Sequence, residues 1–256
     1  MPSDTRVVLI TGAADGIGRG IATVFARAGC KLTLLDINPA LLERTAAELT
    51  ASGAEVFATT CDVRSASDVQ AAVDQTIARF GQLDVAVSNA GVYPNTAVVD
   101  MAEDEWDLVI ETNLKGSFLV CRAAARHMVQ RGQGGKLCLI ASGAYQSARV
   151  GASHYCASKA GLVMFARTLA MELAENRINV NVVSPGLIAV GTRPAVSERY
   201  KAELMKTIPW GRPGTPEEIG HAVYFACSPE AEYLTGSVLS VDGGSSAGRY
   251  HLPRSD

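Results

Sequence analysis

Short apolar runs alternate along this chain with longer stretches in which apolar residues recur at helical spacing. Continuous apolar, β-branched runs of this length predict buried strands. They fall at residues 6–11, 31–35, 55–60, 83–87, 136–140, 178–183 and 237–241. The stretches of helical period fall at residues 17–28, 39–52, 65–80, 103–130, 155–176 and 215–228. This alternation of strand with helix predicts an α/β fold, a doubly wound parallel sheet with helices on both faces.

The chain length sets the number of domains. With 256 residues, 48% of them hydrophobic, the chain can bury one large core, so residues 1–256 are expected to form a single domain. Residues 187–208 show no firm periodicity, and a stretch of this length between regular elements is more often a functional lid than a structural loop. We therefore predict a substrate lid there. The tail at residues 245–256 is rich in glycine and serine and then polar.

Charge and cysteine usage narrow the classes of function. The net charge is −3 and no basic run stands out, which argues against nucleic-acid binding. No apolar run reaches about 18 residues, and the first strand begins by residue 6, so neither a membrane span nor a signal peptide is expected. The six cysteines are scattered, without a CxxC or Cys/His cluster, which indicates buried free thiols and no metal site. We expect a cytoplasmic protein.

A glycine-rich turn follows the first strand and leads into a helix. It holds Gly12, Gly16 and Gly18, a GxxxGxG spacing that is one residue longer in its first gap than the Rossmann GxGxxG. Glycines let the backbone approach a pyrophosphate, and the free N–H groups and dipole of a helix N-terminus favour its charge. Asp36 ends the second strand, where a carboxylate can accept hydrogen bonds from adenosine ribose hydroxyls. Together these features predict a dinucleotide site.

Tyr155 and Lys159 stand four residues apart in a helical pattern. An i,i+4 pair lies on one face of a helix, so the phenol and the ammonium project into the same space. A nearby cation favours phenolate and lowers the pKa of a tyrosine from about 10. Tyr155 is therefore a candidate general acid/base.

Further polar candidates stand at predicted strand ends or inside a helix. Ser142 follows the apolar run at 137–140, and strand ends in open α/β sheets are where active-site groups collect. The small residues at 88–91 end the fourth strand and permit close approach to a ligand. Asn113 is either a satisfied core amide or a functional group. Asp62 either contacts the adenine ring or begins the turn that follows.

Over residues 6–244 the chain resembles the short-chain dehydrogenase/reductase (SDR) family. The motifs that carry this resemblance are TGAADGIG at 11–18, Asp62, SNAG at 88–91, Asn113, Ser142, YCASK at 155–159, SPG at 184–186 and VDGG at 241–244. Each motif is short, but their order and spacing together are highly specific. The resemblance implies a single Rossmann-like domain that interconverts alcohols and carbonyls with NAD or NADP.

The resemblance also implies roles for individual residues. Tyr155 exchanges the proton with the substrate oxygen, and Ser142 holds that oxygen by a hydrogen bond. Lys159 binds the nicotinamide ribose and lowers the pKa of Tyr155. Asn113 sits at a helix irregularity and supports a water in a proton relay.

The cofactor contacts follow from the same resemblance. The implied cofactor-binding residues are Gly12, Asp15, Gly16, Ile17, Gly18, Asp36, Asp62, Val63, Asn89, Ala90, Gly91, Tyr155, Lys159, Pro185, Gly186, Ile188 and Thr192. The backbone of Ile188 is expected to meet the nicotinamide carboxamide. The chain departs from the family pattern at Ser88, where an Asn is usual, and at Val190, where a Thr commonly binds the carboxamide. Thr192 is the expected substitute for that Thr.

The predicted substrate contacts centre on the strand end that bears Ser142. The residues assigned to the substrate are Ser142, Ala144, Gln146 and Tyr155, with Tyr93, His154 and the lid bordering the pocket. His154 is treated as peripheral to the chemistry, because adjacent helical residues point in different directions.

The leading interpretation is an NAD-dependent dehydrogenase for a secondary alcohol, polyol or sugar, or the reverse ketone reductase. One alternative is a 3-oxoacyl-thioester reductase, whose acidic acyl-carrier partner needs a basic rim around the site. The residues that could supply one are Arg122, Arg126, Arg131 and Arg177. A second alternative is a dinucleotide sensor without catalysis, but such a protein need not keep Ser142, Tyr155 and Lys159 together.

Two further expectations concern the cofactor and the assembly. Asp36 would repel a 2′-phosphate, and the positions where family members place a basic residue are Asp15 and Ile37, so NAD is expected over NADP. The resemblance implies a homo-oligomer, a tetramer or a dimer. Its expected contacts are the helices at 103–130 and 155–176 and the last strand.

Overall fold

The computed structural model describes residues 5–190, 198–248 and 250. Its centre is a seven-stranded sheet in which all neighbouring strands are parallel, in the order β3-β2-β1-β4-β5-β6-β7. The strands are β1 (Val7–Thr11), β2 (Lys31–Asp36), β3 (Val56–Thr60), β4 (Val85–Ser88), β5 (Gly135–Ile140), β6 (Ile178–Pro185) and β7 (Val238–Val241). The predicted α/β architecture is confirmed.

Helices cover both faces of this sheet. They are α1 (Gly16–Arg27), α2 (Pro39–Ala51), α3 (Ala66–Phe80), α4 (Glu103–Ile110), α5 (Gly116–Arg131), α6 (Ser153–Leu173), α7 (Glu198–Lys206) and α8 (Pro216–Ala226). Buried side chains of α1, α2 and α8 form one core cluster, and those of α3, α5 and α6 form the other. Burial on both faces explains why β1, apolar except for Thr11, and β6 are buried along their whole length, whereas the edge strand β3 is only half-buried.

The strand order creates a crevice at the carboxyl ends of β1 and β4. From β1 the chain moves outward through β2 and β3, then returns to place β4 on the other side of β1. In an open α/β sheet, such a reversal of direction is where ligands bind. The loops after β1, β4, β5 and β6 meet at this edge, and they contain the glycine turn, Asn89, Ser142 and Ile188.

The structure differs from the predicted elements in two places. The helix predicted over 103–130 is divided by a π-helical segment, Glu111–Lys115, between α4 and α5. The segment 187–208 was expected to lack regular structure, but it contains α7. Among the described residues, no helix is long and apolar enough to cross a membrane.

Candidate active site

The glycine turn between β1 and α1 is packed too tightly for any other residue. A Cβ atom on Gly18 would lie 2.0 Å from the carbonyl oxygen of Gly12. One on Gly12, whose φ is +63°, would lie 2.9 Å from the Cα of Ala90. Asp15, in extended conformation, is the N-cap of α1, so the first turn of that helix begins directly at the glycine turn. This arrangement leaves backbone N–H groups at a helix N-terminus, which suits a pyrophosphate.

Asn89 joins the loop after β4 to this turn. Its side-chain NH₂ donates to the carbonyl oxygens of Thr11, at 2.9 Å, and Gly12, at 3.1 Å. The backbone N–H groups of Asn89 and Ala90 both donate to the Thr11 hydroxyl, each at 3.0 Å. Asn89, predicted to line the cofactor cleft, braces the glycine turn in the structure, and its contact with a cofactor stays a prediction. Thr11 was not predicted, although a hydroxyl at the end of an otherwise apolar strand was a signal for it.

Asp36 lies at the end of β2, against the same turn. The N–H of Ala14 donates to its Oδ2 at 3.1 Å, and the N–H of Asn38 donates to its Oδ1 at 2.9 Å. The carboxylate therefore caps the turn that follows β2 and also holds the glycine turn. It is half-buried, and each oxygen keeps a lone pair for another donor.

Lys159 is buried on α6 beside Tyr155. Its Nζ lies 5.8 Å from the centroid of the Tyr155 ring and donates to the carbonyl oxygen of Ile140 at 2.8 Å. Only 4% of the residue is exposed, and burial lowers the pKa of its ammonium to about 8. The helix thus brings the predicted pair together, and the end of β5 fixes the position of the lysine.

Asn113 occupies the π-helical segment, so the predicted helix irregularity is present. Its amide oxygen accepts from the Val92 N–H at 2.8 Å, and its NH₂ donates to the Val92 carbonyl at 2.9 Å and the Ser158 hydroxyl at 3.2 Å. The amide therefore ties the loop after β4 to α6. A Cβ on Gly91 would lie 3.1 Å from its Oδ1 and 3.7 Å from Lys159 Nζ, so this loop passes directly over both side chains.

Ser142 stands at the carboxyl end of β5, as predicted. It is the N-cap of the short 3₁₀ turn Gly143–Tyr145, and its Oγ accepts from the Ala144 N–H at 3.3 Å. This turn packs against α6, the helix that bears Tyr155. Ser142 and Ala144 are half-buried, whereas Gln146 is exposed.

The loop after β6 presents the backbone of Ile188. The N–H of Gly214 donates to the carbonyl of Leu187, and the N–H of Ala189 donates to the carbonyl of Gly214, both at 2.9 Å. In such a parallel bridge, the N–H and C=O of the middle residue, Ile188, face away from the partner strand. The predicted backbone contact with the nicotinamide carboxamide uses these groups.

The other residues predicted around this loop have packing roles. Pro185 is in β6, and Gly186 packs so closely that a Cβ would lie 2.7 Å from the Cα of Asp242. The Val190 side chain lies over Gly16, 3.4 Å from where a Cβ would be. Thr192, the expected substitute donor, lies outside the described residues.

Asp62 has a partner within its own turn. Its carboxylate accepts from the Arg64 guanidinium at 2.6 Å and from the Arg64 N–H at 2.9 Å, and the guanidinium bond lowers the pKa of Asp62. The adjacent Val63 is buried, and a Cβ on Gly116 would lie 2.8 Å from it. The structure shows the second interpretation of Asp62, in which its carboxylate begins the turn that follows β3. Its contact with the adenine ring stays a prediction.

His154 does not border the pocket, which corrects the sequence-based expectation. It is fully buried, its Nε2 lies 3.2 Å from Glu105 Oε1, and its ring stacks on Trp106 at 6.5 Å between centroids.

Tyr93, by contrast, is exposed and lies edge-on to the Tyr155 ring, with 6.4 Å between centroids. Arg149, whose Cζ lies 5.9 Å from the Tyr155 ring centroid, was not predicted from the sequence. It sits in a loop where no periodicity predicts side-chain direction.

The residues at this edge of the sheet fit a nicotinamide dinucleotide. The glycine turn, which added Cβ atoms would fill, suits the pyrophosphate. The Asp36 carboxylate suits the adenosine ribose. Lys159 is a buried cation whose Nζ donates to a backbone carbonyl, and an ammonium carries further donors for ribose hydroxyls.

Known proteins resemble this chain over nearly its whole length. A family model described as Enoyl-(Acyl carrier protein) reductase matches residues 12–246. The chain is 37% identical to the 3-oxoacyl-[acyl-carrier-protein] reductase FabG of Chlamydia muridarum over 240 residues, 93% of this chain and 96% of that protein. It is 34% identical to the 2-dehydro-3-deoxy-D-gluconate 5-dehydrogenase of Escherichia coli, over 93% of this chain and 94% of that protein.

Solved structures extend this similarity to three dimensions. The crystal structure of a short-chain type dehydrogenase/reductase from Mycobacterium marinum superposes with a TM-score of 0.89, at 35% identity, over 95% of this chain and 96% of that one. The chain therefore belongs to the short-chain dehydrogenase/reductase family, and it is an oxidoreductase that acts on CH–OH or C=O groups with a nicotinamide cofactor.

Proposed function

We propose that this protein is an NAD-dependent dehydrogenase that interconverts a secondary alcohol, polyol or sugar hydroxyl with the corresponding carbonyl. The observation that carries the proposal is the buried Lys159 ammonium beside Tyr155, with Ser142 at the adjoining strand end. A buried cation next to a phenol favours the phenolate, which is the form that accepts a proton from an alcohol.

The residues divide the reaction as follows. A bound nicotinamide supplies the hydride acceptor for alcohol oxidation and the hydride donor for the reverse reaction. Tyr155 takes the hydroxyl proton as the carbonyl forms, and returns it when the carbonyl is reduced. Ser142 donates a hydrogen bond to the reacting oxygen, which holds it beside Tyr155. Asn113 positions the loop at Gly91 above Lys159 and, in this proposal, supports a relay water.

The choice of NAD rests on Asp36. Its carboxylate lies at the strand end where the adenosine ribose is expected, and ribose hydroxyls can donate to it. A 2′-phosphate at this position would meet a like charge, which costs several kcal/mol. Asp15 adds a second negative charge at the turn, and the residue after Asp36 is the uncharged Ile37.

A second candidate function is reduction of a 3-oxoacyl thioester. It is favoured by the similarity to an acyl-carrier-protein reductase at 37% identity. The arginines give it less support. Arg131 is bound to Asp84, just before β4, and Arg177 stands just before β6, so both lie at the amino edge of the sheet, away from the site. Arg122 lies over the Phe118 ring at 4.9 Å.

The test is a panel of polyols, sugars, secondary alcohols, ketones and a 3-oxoacyl thioester, assayed in parallel with NAD(H) and NADP(H). The proposal expects turnover of a hydroxyl or ketone substrate with NAD(H), and loss of that turnover in Tyr155→Phe. Preference for the thioester would establish the second candidate instead. Cofactor binding without turnover of any member would indicate a sensor.

We also propose that the protein is a homo-oligomer built on α5 and α6. These helices expose large apolar side chains that a single chain leaves in water: Phe118 is 40%, Met164 58% and Met171 73% exposed. Phe118 and Phe165 stack edge to face with 6.2 Å between centroids, so apolar side chains of the two helices meet. Burial of such a surface against a second copy is favourable.

A further inference from the structure

Arg149 lies over the face of the catalytic tyrosine. Its Cζ is 5.9 Å from the centroid of the Tyr155 ring, a distance at which a guanidinium is attracted to an aromatic face. Tyr93 approaches the same ring edge-on. The phenol is therefore set between an aromatic side chain and an exposed arginine at the mouth of the site.

The loop that bears Arg149 is held at several points. The N–H of Ala152 donates to the Arg149 carbonyl at 3.1 Å, which closes a turn, and the N–H of Thr96 donates to the Gly151 carbonyl at 2.8 Å. Gly151 has a φ of +77°, and a Cβ there would lie 2.6 Å from the Asn95 side chain. The loop is thus packed against the segment that follows β4, which holds the backbone from which the Arg149 side chain extends over Tyr155.

Within the part of the chain that the structure describes, no carboxylate forms an ion pair with Arg149. Glu105, an acid on the helix next to this loop, is engaged by His154 through Oε1 and by the Thr96 hydroxyl through Oε2. Lys159, the other cation beside the Tyr155 ring, is buried and donates to a carbonyl. The mouth of the site therefore presents a cation to the substrate, and the guanidinium fork matches a carboxylate in geometry and charge.

We propose that Arg149 binds a carboxylate of the substrate, so that the enzyme acts on hydroxy acids and their oxo-acid products. The inference rests on the proposed function, because it places this carboxylate a few bonds from a hydroxyl whose proton passes to Tyr155. The guanidinium sets which end of the substrate enters and how far the reacting carbon lies from the anion. Arg149 is thus a specificity-determining residue.

The test uses hydroxy acids whose carboxylate is one, two or three carbon atoms from the carbinol carbon, each paired with its uncharged isosteric amide. The wild type should turn over at least one acid about tenfold or more better than its amide, in kcat/KM. Arg149→Gln should bring that ratio close to one, chiefly by raising KM for the acid. Arg149→Lys should retain part of the preference, because it keeps the charge but loses the fork.

Arg79→Gln is the matched control. Arg79 is also exposed and lies over an aromatic ring, that of Phe80, at 5.7 Å, but it is on α3. Its substitution should leave the acid-to-amide ratio unchanged. An Arg149→Gln enzyme that loses acid and amide turnover equally would show that the guanidinium acts only on Tyr155, and would overturn the inference.

The outcomes separate this inference from the proposed function. Turnover of neutral alcohols or sugars without any of the acids, or of acids and amides alike, overturns the role of Arg149 and leaves the dehydrogenase intact. Absence of Tyr155-dependent turnover across the acids and the wider panel overturns both. Preference for an acid that Arg149→Gln leaves untouched assigns the carboxylate to another residue and overturns the inference.

Discussion

Lys159 lies on the same face of α6 as Tyr155, and its Nζ is 5.8 Å from the centroid of the tyrosine ring. The helix sets the spacing of the pair, while the hydrogen bond to the Ile140 carbonyl at 2.8 Å ties the ammonium to β5. The charge is therefore held in place by two elements of the core. This relationship leads to the first three predictions.

Tyr155→Phe should abolish nearly all turnover while the fold and cofactor affinity persist, because the substitution removes the transferable proton and keeps the ring. The ring contacts with Tyr93 and Arg149 remain possible. Loss of general acid–base catalysis alone is worth about 10²–10⁴-fold. Steady-state rates, with NADH titrated by its fluorescence, check both parts. A variant that retains most of the wild-type rate would remove Tyr155 from the mechanism.

Lys159→Met should shift the pH dependence of alcohol oxidation. Without the cation, Tyr155 loses its proton only at higher pH, so the rise of kcat/KM with pH should move upward. Affinity for NAD should also fall, because the ribose loses a donor. The measurement is kcat/KM for alcohol oxidation from pH 6 to 10, for the wild type and for Lys159→Met. An unshifted rise in the variant would show that Lys159 acts on the cofactor alone.

The burial of Lys159 also predicts how stability depends on pH. Burial lowers its pKa from 10.5 to about 8, so the folded protein releases this proton at lower pH than the unfolded chain does. The free energy of unfolding should therefore increase as the pH is raised, by about 2 kcal/mol between pH 7 and pH 9.5. Urea denaturation of the cofactor-free wild type and of Lys159→Met, at both pH values, isolates the effect, because other groups titrate in both proteins. An equal change in the two would contradict it.

Features of the site that depend on local sequence could be predicted. The spacing of Tyr155 and Lys159 places them on one helix face, and the strand-turn-helix order around Gly12 and Gly18 predicts the tight glycine turn that the structure contains. Ser142 was located by the apolar run before it. In each case, the residues that determine the geometry lie within about a turn or a strand of one another.

Features that depend on contacts between distant residues could not be predicted. Asn113 bonds to the backbone of Val92, 21 residues away, and no pattern in either segment records that pairing. The helix α7 is nine residues long and mostly polar, and a helix this short depends on its tertiary contacts, so no periodic pattern long enough to predict it is present. Arg149 reaches Tyr155 because two loops pack at Gly151.

The apolar surface on α5 and α6 predicts self-association. Light scattering at micromolar concentration should give the molecular mass of a dimer or tetramer, and Met164→Glu should lower that measured mass. Met164 is 58% exposed in one chain, so the substitution costs the fold little but places a charge in the interface. Val99→Glu, at a position that is 87% exposed and outside both helices, is the control and should leave the mass unchanged. A monomeric wild type would refute the proposal.

Asp36 predicts the choice between NAD and NADP. The wild type should favour NAD in kcat/KM by at least about tenfold, equivalent to about 1.4 kcal/mol. Asp36→Ala should narrow that gap, because it removes the charge that a 2′-phosphate would meet. It also removes the acceptor for the Ala14 and Asn38 N–H groups, so the glycine turn should loosen and the affinity for both cofactors should fall. The ratio of the two cofactors, rather than either rate alone, is therefore the measurement.

A second substitution separates the effect of charge near the ribose from the effect of a loosened glycine turn. Ile37 directly follows Asp36 and is 61% exposed, so Ile37→Arg adds a cation near the expected ribose position without removing a core side chain. Combined with Asp36→Ala, it should bring the preference to NADP, because a guanidinium binds a phosphate by two hydrogen bonds. If the carboxylate only capped the turn, Asp36→Ala would weaken both cofactors equally and the ratio would stay at its wild-type value. A wild type that prefers NADP would contradict the role given to Asp36.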